Sequence, residues 1–349
     1  MHASYISVAP TFSVVVMNWN GKHFLDTCLS ALRNQRFKDF ETIFVDNGSA
    51  DGSVDFVRQN FPEVRVVALE HNVGFALGNI AGYEAANGQW IVLLNNDTEA
   101  DAGWLEALHD AIRSFPAAGT FACKMLFFDE RNRIDNCGFD LTATGTSIDL
   151  GRGEQDGEEW FSTRGVFGAC GGAVAYRRTM LERIGFFDRD YFMTFEDLDL
   201  SFRAQLAGYE CVFVPKAVVY HRYRGTMTKY PERQVYFSQR NIEFAYLKNM
   251  PLALILRYLP QRILHELGAA IYFTRIGTGK AFFKAKLDTI RALPRLLKKR
   301  KEIQKRRTIS NAHLRSMLRT YRLGSKWNKF WSAWRDPVET RVQKPQAAD

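Results

Sequence analysis

The feature that most constrains the fold is a regular alternation of strand and helix patterns over the first hundred residues. Short apolar runs at 12–17, 41–45, 64–68 and 90–94 are each followed by a polar loop, and helical spacing of apolar residues follows the loops. This alternation predicts an α/β fold with a mostly parallel, Rossmann-like sheet flanked by helices. Since the first and fourth runs are almost wholly apolar, these two strands are expected to be buried on both faces.

Polar residues follow each of these strands, at Asn18, Asp46, Asn72 and Asp97. Open α/β sheets bind ligands outside the carboxyl ends of their strands, so four such endings indicate a nucleotide site. Trp19 offers a flat surface for stacking, and Asp46 can accept hydrogen bonds from a base or ribose. The segment at Asp46 is also compatible with a simple turn. No GxGxxG motif follows the first strand, which disfavours a dinucleotide fold.

The fourth strand runs directly into Asn95, Asn96 and Asp97. A carboxylate beside two amides suits a divalent cation holding a diphosphate, because hard cations prefer oxygen ligands. The same three residues could instead cap a helix whose body begins near Asp101. This stretch alone leaves both interpretations open.

A second acidic group, Glu196, Asp197 and Asp199, stands at the start of a predicted helix. Carboxylates there stabilise the helix dipole and the free amides. Glu196 and Asp199 share a face while Asp197 points elsewhere, so one carboxylate could face a cleft. Further along, His221 follows a strand and precedes Arg222 and Arg224, a setting that favours anionic ligands, although a lone histidine is more often structural.

The net charge of +9 is unevenly distributed. From Pro251 onward there are 23 Lys and Arg against 6 Asp and Glu, a net of +17, whereas residues 1–250 contain 24 and 32, a net of −8. We therefore predict a boundary near Pro251, between an acidic domain at 1–250 and a basic α-helical extension at 251–349.

Within the extension, apolar residues recur at helical spacing and are accompanied by basic and aromatic residues. The apolar positions are Leu256, Leu259, Ile263, Leu264, Leu267 and Ile271, then Phe283, Leu287, Ile290 and Leu297. The basic run is Lys298–Arg307, and the aromatic residues are Trp327, Phe330, Trp331 and Trp334. Such helices are typical of the membrane interface, with an anionic surface as partner. Packing on the catalytic domain is the alternative, and no nucleic-acid partner is expected because the acidic domain offers no matching surface.

Five cysteines without a CxxC pair argue against a disulfide framework or zinc site and favour a reducing compartment. No secretory signal is apparent, and the longest uncharged apolar stretch, 250–256, stops at Arg257. We expect a cytoplasmic protein, peripheral on the inner face of the cell membrane.

Six segments in order resemble the family 2 glycosyltransferases, which are inverting enzymes with the GT-A fold, and especially bacterial rhamnosyltransferase-type enzymes. The segments are VVVMNWNG, FVDNGSADGS, HNVGFALGN, IVLLNNDTE, GFFDRDYFMTFEDLDLSFRAQLAGY and VVYHRYRGT, between about Ser13 and Thr226. The resemblance implies a nucleotide-sugar half at about 1–115 and an acceptor and base half at about 116–250.

The resemblance also implies roles for individual residues. The donor-binding residues would be Asn18, Trp19, Asp46, Gly74, Phe75, Asn79, Asn95 and Asn96. Asp97 would end an Asp-x-Asp-type motif and bind Mg²⁺ or Mn²⁺, with His221 completing the metal shell. This chain departs from the family with Asn95 at the first motif position and Ile80 where a second Asn is common. Asp197 would be the general base, with Glu196 beside it.

The implied function is metal-dependent transfer of a sugar, with rhamnose the first expectation, from a dTDP- or UDP-linked donor. The acceptor would be a hydroxyl of a glycan or polyprenyl-linked saccharide. A non-catalytic nucleotide-sugar-binding or scaffold protein is the alternative from another class. A nucleotidyltransferase is a further alternative, but NWNGKHF is a poor phosphate loop for it.

Overall fold

The computed structural model describes residues 9–222 and 231–319. Ten strands there form one mixed sheet, and two more form a small hairpin. The strands are β1 Phe12–Asn18, β2 Phe40–Asp46, β3 Arg65–Ala68, β4 Trp90–Asn95, β5 Thr98–Ala100, β6 Ala118–Phe127, β7 Ile134–Asn136, β8 Phe139–Leu141, β9 Ser147–Asp149, β10 Arg164–Val166, β11 Ala173–Arg177 and β12 Glu210–His221. The helices are α1 Lys22–Arg33, α2 Ser53–Asn60, α3 Phe75–Ala85, α4 Trp104–Ser114, α5 Arg178–Ile184, α6 Glu196–Leu206, α7 Pro231–Asn249, α8 Leu252–Arg275, α9 Gly279–Arg306 and α10 Asn311–Met317.

The main path of the sheet has the order β10-β12-β6-β11-β4-β1-β2-β3, with β5 paired to β12 and β7 to β6. The four strands predicted from the first hundred residues are mutually parallel, which confirms that prediction. Beyond them β11 runs antiparallel to both β4 and β6. In register, Asn18 lies opposite Asp46, and Met17 lies opposite Asn95. The polar strand ends therefore meet at one edge.

Burial of both sheet faces explains why the central strands β1 and β4 are almost continuously apolar. In β1, Val14 and Val16 enter a core shared with α1 and α4, whereas Val15 and Met17 enter the core on the other face, shared with α3 and α5. Successive side chains of a strand point to opposite faces, so a strand covered on both sides needs an apolar residue at every position.

The helix after β4 begins later than the sequence predicted. Residues 98–100 form β5, which pairs with β12, and α4 begins at Trp104. The residue before α4 is Gly103, whose backbone amide donates to Asp101 Oδ1 at 2.8 Å. A strand thus separates Asn95–Asp97 from the helix, and the interpretation of those residues as a helix cap is wrong.

The C-terminal helices pack on the catalytic part through one side. Ala292 and Leu296 of α9 enter the sheet core, and Leu314 of α10 enters a third core with residues of β8, α6 and α7. Helices on both sides of Met250 thus share a core, while the division at 250 remains a prediction. Among the described residues no helix combines the length and hydropathy needed to cross a bilayer. All five cysteines are free thiols.

Some residues singled out in the sequence lie outside the described ranges. They are Arg224, Trp327, Phe330, Trp331 and Trp334.

Candidate active site

The first wall of the site is a hydrogen-bonded network at the carboxyl ends of β1 and β2. Asn18 Nδ2 donates to Asp46 Oδ1 at 2.9 Å and lies 3.2 Å from Ser49 Oγ. The other oxygen of Asp46 accepts from the Ser49 amide at 2.8 Å. Asn18 and Asp46 are almost completely buried. Their side chains are held by the fold, which fixes the shape of the edge above them.

Two more predicted donor residues adjoin this wall. Asn96 Nδ2 donates to Asn18 Oδ1 at 2.5 Å, which ties the end of β4 to the end of β1. Trp19 is 39% exposed, so its ring is accessible for stacking.

The loop before α3 is shaped by a close approach to residues far along the chain. Gly74 has φ +93°, and a Cβ there would clash with the Phe192 carbonyl oxygen. Phe75 N donates to that same oxygen at 2.6 Å. Asn79 is buried, with Nδ2 donating to the Phe75 carbonyl at 2.9 Å. The structure therefore places Asn79 where it holds the first turn of α3.

On the other side of Asn96, Asp97 lies against His221, as β5 and β12 pair beside it. Asp97 Oδ1 is 3.4 Å from His221 Nε2, and His221 Nδ1 is 2.6 Å from Asp135 Oδ2. Burial lowers the pKa of His221, but the bonds to Asp135 and Asp97 outweigh it and raise that pKa to about 9. The imidazole is thus held between two carboxylates.

Asp135 was not predicted from the sequence to be a residue of the site. It lies in β7, is almost fully buried, and also pairs with Arg152, whose Nη2 is 3.2 Å away. A single Asp in a region rich in Gly, Asp and Arg carries no signal that would single it out. Only the pairing of β7 with β6, next to β12, brings it to His221.

A second wall of the site carries Asp197, at the start of α6. Its Oδ2 accepts from the Gly171 amide at 2.9 Å, and its Oδ1 accepts from the Leu198 amide at 2.7 Å. The next residue, Gly172, accepts from the Asn95 amide at 2.9 Å through its carbonyl. Two hydrogen bonds and one peptide therefore connect Asp197 to the strand end that carries Asp97.

The two neighbouring carboxylates differ in surroundings. Burial raises the pKa of Glu196 well above its ordinary value, and the Asp197 carboxylate raises it further. Glu196 is buried, and its Oε2 has no hydrogen-bond partner among the described residues. Burial also raises the pKa of Asp197, opposed by the bonds from Gly171 and Leu198. Asp197 remains half-buried and is the more accessible of the pair.

The backbone before this pair is unusual. Thr194 and Phe195 both have positive φ, +62° and +63°, which non-glycine residues rarely adopt. Residues in such conformations persist where the surrounding structure enforces them, and they cluster at functional sites. Here Asn241 Nδ2 donates to the carbonyls of Met193 and Thr194 at 2.7 and 2.8 Å, so α7 holds the turn that presents Asp197.

The third carboxylate of the group has a structural position. Asp199 is fully buried, with Oδ2 3.0 Å from Arg203 Nε and Oδ1 2.9 Å from Lys248 Nζ. Asp199 therefore does more than stabilise the helix dipole, because its ion pairs with Arg203 and Lys248 connect α6 to α7. It does not share an accessible face with Glu196.

Residues 13–185, which run from β1 to the end of α5, match the family model described as Glycosyl transferase family 2. The chain therefore contains a glycosyl transferase family 2 domain, at residues 13–185. It is therefore a glycosyltransferase.

Curated relatives of this glycosyltransferase have matching names. N-acetylglucosaminyl-diphospho-decaprenol L-rhamnosyltransferase of Mycobacterium tuberculosis (strain ATCC 25618 / H37Rv) is 28% identical over 234 residues, covering 60% of this chain and 75% of the relative. A PGL/p-HBAD biosynthesis glycosyltransferase of Mycobacterium bovis (strain BCG / Pasteur 1173P2) is 26% identical over 198 residues, covering 56% and 70%.

Solved structures show the same fold. The mannosyltransferase PcManGT from Pyrobaculum calidifontis, in complex with GDP-Man and Mn²⁺, superposes with a TM-score of 0.51 at 16% identity, covering 96% of this chain and 89% of that one. S. aureus TarS 1–349 in complex with UDP gives 0.52 at 17% identity, covering 85% and 88%. The fold of this chain is thus the GT-A glycosyltransferase fold.

The residues around Asp97 fit a divalent cation shared with a ligand. Asp97 Oδ1 is a buried carboxylate oxygen whose described contact is His221 Nε2, 3.4 Å away, and a neutral His221 would add a nitrogen ligand. No group of three or more His, Cys, Asp or Glu side chains suited to a metal occurs in the described ranges. Two protein ligands suit Mg²⁺ or Mn²⁺, since hard cations in such sites take their other ligands from phosphates and water.

Proposed function

We propose that this glycosyltransferase is a metal-dependent, inverting enzyme that transfers a sugar from a nucleoside diphosphate to an acceptor hydroxyl. The observation that carries the proposal is the link between two carboxylates: Asp197 of α6 is joined through Gly171 and Gly172 to Asn95, at the strand end that precedes Asp97. One carboxylate can serve the leaving diphosphate and the other can serve the incoming hydroxyl.

The donor would occupy the edge formed by the ends of β1, β2 and β4. Trp19 would stack on the base, and the network of Asn18 and Asp46 would position the base and ribose. The sugar diphosphate would then extend past Gly74 and Phe75 towards Asn95 and Asn96. By analogy with the relatives named rhamnosyltransferases, rhamnose on dTDP is the first donor to test, with UDP-sugars next.

Asp97 and His221 would hold Mg²⁺ or Mn²⁺ together with the donor diphosphate. When bound, the cation neutralises negative charge that develops on the leaving oxygens. Asp135 would orient the imidazole, since its bond to Nδ1 directs Nε2 towards Asp97.

Asp197 would act as the general base. Its carboxylate takes the proton of the acceptor hydroxyl as that oxygen forms a bond to the anomeric carbon and the bond from this carbon to the diphosphate breaks. A single displacement inverts the anomeric centre and requires no covalent enzyme intermediate. Glu196 is buried, whereas Asp197 is more accessible, so Glu196 is the less suitable base.

For the acceptor, we propose a hydroxyl of a glycan or of a polyprenyl-linked saccharide. The name of the M. tuberculosis relative includes a decaprenol-linked N-acetylglucosaminyl diphosphate. An acceptor of that kind is membrane-bound, which agrees with a peripheral position on the inner face of the cytoplasmic membrane.

A nucleotide panel tests the donor and metal parts of this proposal together. We expect one nucleoside diphosphate to raise the melting temperature only when Mg²⁺ or Mn²⁺ is present, and a ligand at 100 times its Kd contributes about 2.7 kcal/mol. Asp97→Ala should abolish the cation-dependent part of the shift. Stabilisation by a nucleotide without any cation, persisting in Asp97→Ala, would contradict the metal site. In that case the donor would be identified separately, by measuring sugar transfer to a soluble acceptor.

Asp135→Asn is expected to weaken cation binding in the nucleoside diphosphate complex by about 10–100-fold, because outer partners orient the ligating imidazole. The measurement is a Mn²⁺ titration followed by calorimetry, which needs no turnover. Asp149→Asn is the matched control, since Asp149 pairs with the same Arg152 but does not contact His221 in the described contacts. Equal affinities in the two variants would contradict the positioning role of Asp135.

A further inference from the structure

Helices α8 and α9 expose large apolar side chains that the rest of the described chain does not cover. Of sixteen exposed large hydrophobic residues among the described positions, thirteen lie on α8, α9 or the turn between them. They are Leu252, Leu256, Leu259, Ile263, Leu264, Leu267, Ile271, Ile276, Phe283, Leu287, Ile290, Leu293 and Leu297. We call these side chains the apolar faces. An exposed apolar surface of this extent marks a site of interaction.

Each helix is two-sided. On α8 the buried side carries Leu254 and Arg262, whereas Ile263 is 51% exposed. On α9 the buried side carries Phe282 and Leu296, whereas Ile290 is 66% exposed. The apolar faces are therefore not needed to attach the helices to the catalytic part, because the opposite sides of the helices do so.

The charge around the apolar faces selects the partner. Residues 252–306 contain fourteen Lys and Arg against three Asp and Glu. A second copy of the chain would bring two strongly basic surfaces together, at an electrostatic cost. A bilayer with anionic lipids complements both the apolar and the basic groups.

The basic run Lys298–Arg307 is partly engaged within the protein. Lys299 pairs with Asp188 and Asp190, and Arg306 Nη1 donates to the Arg183 carbonyl at 3.0 Å. These side chains hold α9 to the catalytic part, so fewer of the cations are available to lipid headgroups than the sequence indicated.

We infer that the apolar faces of α8 and α9 lie in the headgroup and upper acyl region of a bilayer, and that this insertion holds the protein there more than the basic run does. The inference deepens the membrane part of the proposed function. It places the edge that carries Asp97 and Asp197 on a protein attached to the membrane through helices that also contact α6 and α7.

Vesicle sedimentation of the full chain tests this inference, with phosphatidylcholine vesicles and vesicles that also contain phosphatidylglycerol. We expect anionic vesicles to bind more tightly, and substantial binding to persist when salt is raised from about 0.1 M to about 1 M, where charges are screened. The variant Leu256→Ser/Ile263→Ser/Ile290→Ser should bind at least about ten-fold more weakly at both salt concentrations, because apolar burial is lost.

Two controls separate the contributions. Phe115→Ser/Phe161→Ser removes exposed aromatic side chains outside these helices and should bind vesicles as the wild type does. Lys301→Glu/Lys305→Glu should weaken binding at low salt only. All three variants should keep the wild-type melting temperature, since the substituted side chains are exposed.

Three results would overturn the inference. They are wild-type binding that disappears at high salt, a triple serine variant that binds like the wild type, and a solution dimer dissociated by that variant without any vesicle binding. Vesicle binding requires neither donor nor cation, so its failure is distinguishable from failure of the proposed transfer reaction.

Discussion

Replacing Asp197 by Asn is expected to lower kcat for sugar transfer by about 10²–10⁴-fold, the range that a general base contributes, with donor affinity little changed. In the proposed mechanism this substitution removes the proton acceptor. It leaves the bonds of Asn18 to Asp46 and Asn96 in place, because Asp197 accepts from the Gly171 and Leu198 amides instead. Steady-state transfer assays give kcat, and the nucleotide-induced shift in melting temperature reports donor binding. Weak donor binding with normal turnover would contradict the role.

Glu196→Gln is the matched control for this substitution. Because Glu196 is buried, and burial and the neighbouring Asp197 raise its pKa well above the ordinary value, we expect a much smaller loss of kcat than for Asp197→Asn. The wild type should also lose activity as pH falls, since the base must be deprotonated. Its raised pKa places this loss at higher pH than an ordinary Asp would. Equal losses of kcat in Asp197→Asn and Glu196→Gln would contradict the assignment of Asp197 alone as the base and would mean that the two carboxyl groups act together.

The largest expected effect on stability is that of Lys248→Met. Lys248 is fully buried and pairs with Asp188 and with Asp199, while Asp199 also binds Arg203 on α6. Removing one partner of a buried ion pair typically costs about 3–5 kcal/mol, because a charge stays buried without compensation. Urea and thermal unfolding measure the loss, which should also loosen α6 and the turn that presents Asp197.

Lys284→Met serves as the matched control, because Lys284 pairs with Asp288 on the exposed side of α9. A pair of that kind contributes about 0–1 kcal/mol. If Lys284→Met lowered the free energy of unfolding as much as Lys248→Met does, the loss in Lys248→Met would have to be attributed to helix packing and not to the buried ion-pair cluster.

The same cluster predicts how stability depends on pH. Burial raises the pKa values of Asp188 and Asp199. Lys248, helped by Lys299 at Asp188 and by Arg203 at Asp199, outweighs burial and holds both pKa values below the ordinary value. A carboxyl with a lower pKa in the folded state stabilises the fold fully above the unfolded value of about 3.9, and this contribution is lost as pH falls further. The acid unfolding midpoint of Lys248→Met should therefore lie at higher pH than that of the wild type.

Local sequence patterns predicted the parallel half of the sheet and the edge where Asn18, Asp46 and Asp97 meet. Both follow from short-range physics, since an apolar run buried on two faces must be a strand, and parallel strands bring their carboxyl ends together. The carboxylate group at Glu196–Asp199 was visible for the same reason, as a helix start. Its division into an accessible Asp197, a buried Glu196 and an Asp199 paired with Arg203 and Lys248 was not visible.

Only the tertiary structure could make that division, because the deciding contacts are distant in the chain. Asp197 is oriented by Gly171, Asp199 is neutralised by Lys248, and His221 is oriented by Asp135. The sequence also predicted amphipathic helices after Pro251, while the structure determined which of their sides is buried and which basic side chains are used internally. Periodicity specifies that a helix has an apolar face, but it does not specify what lies against that face.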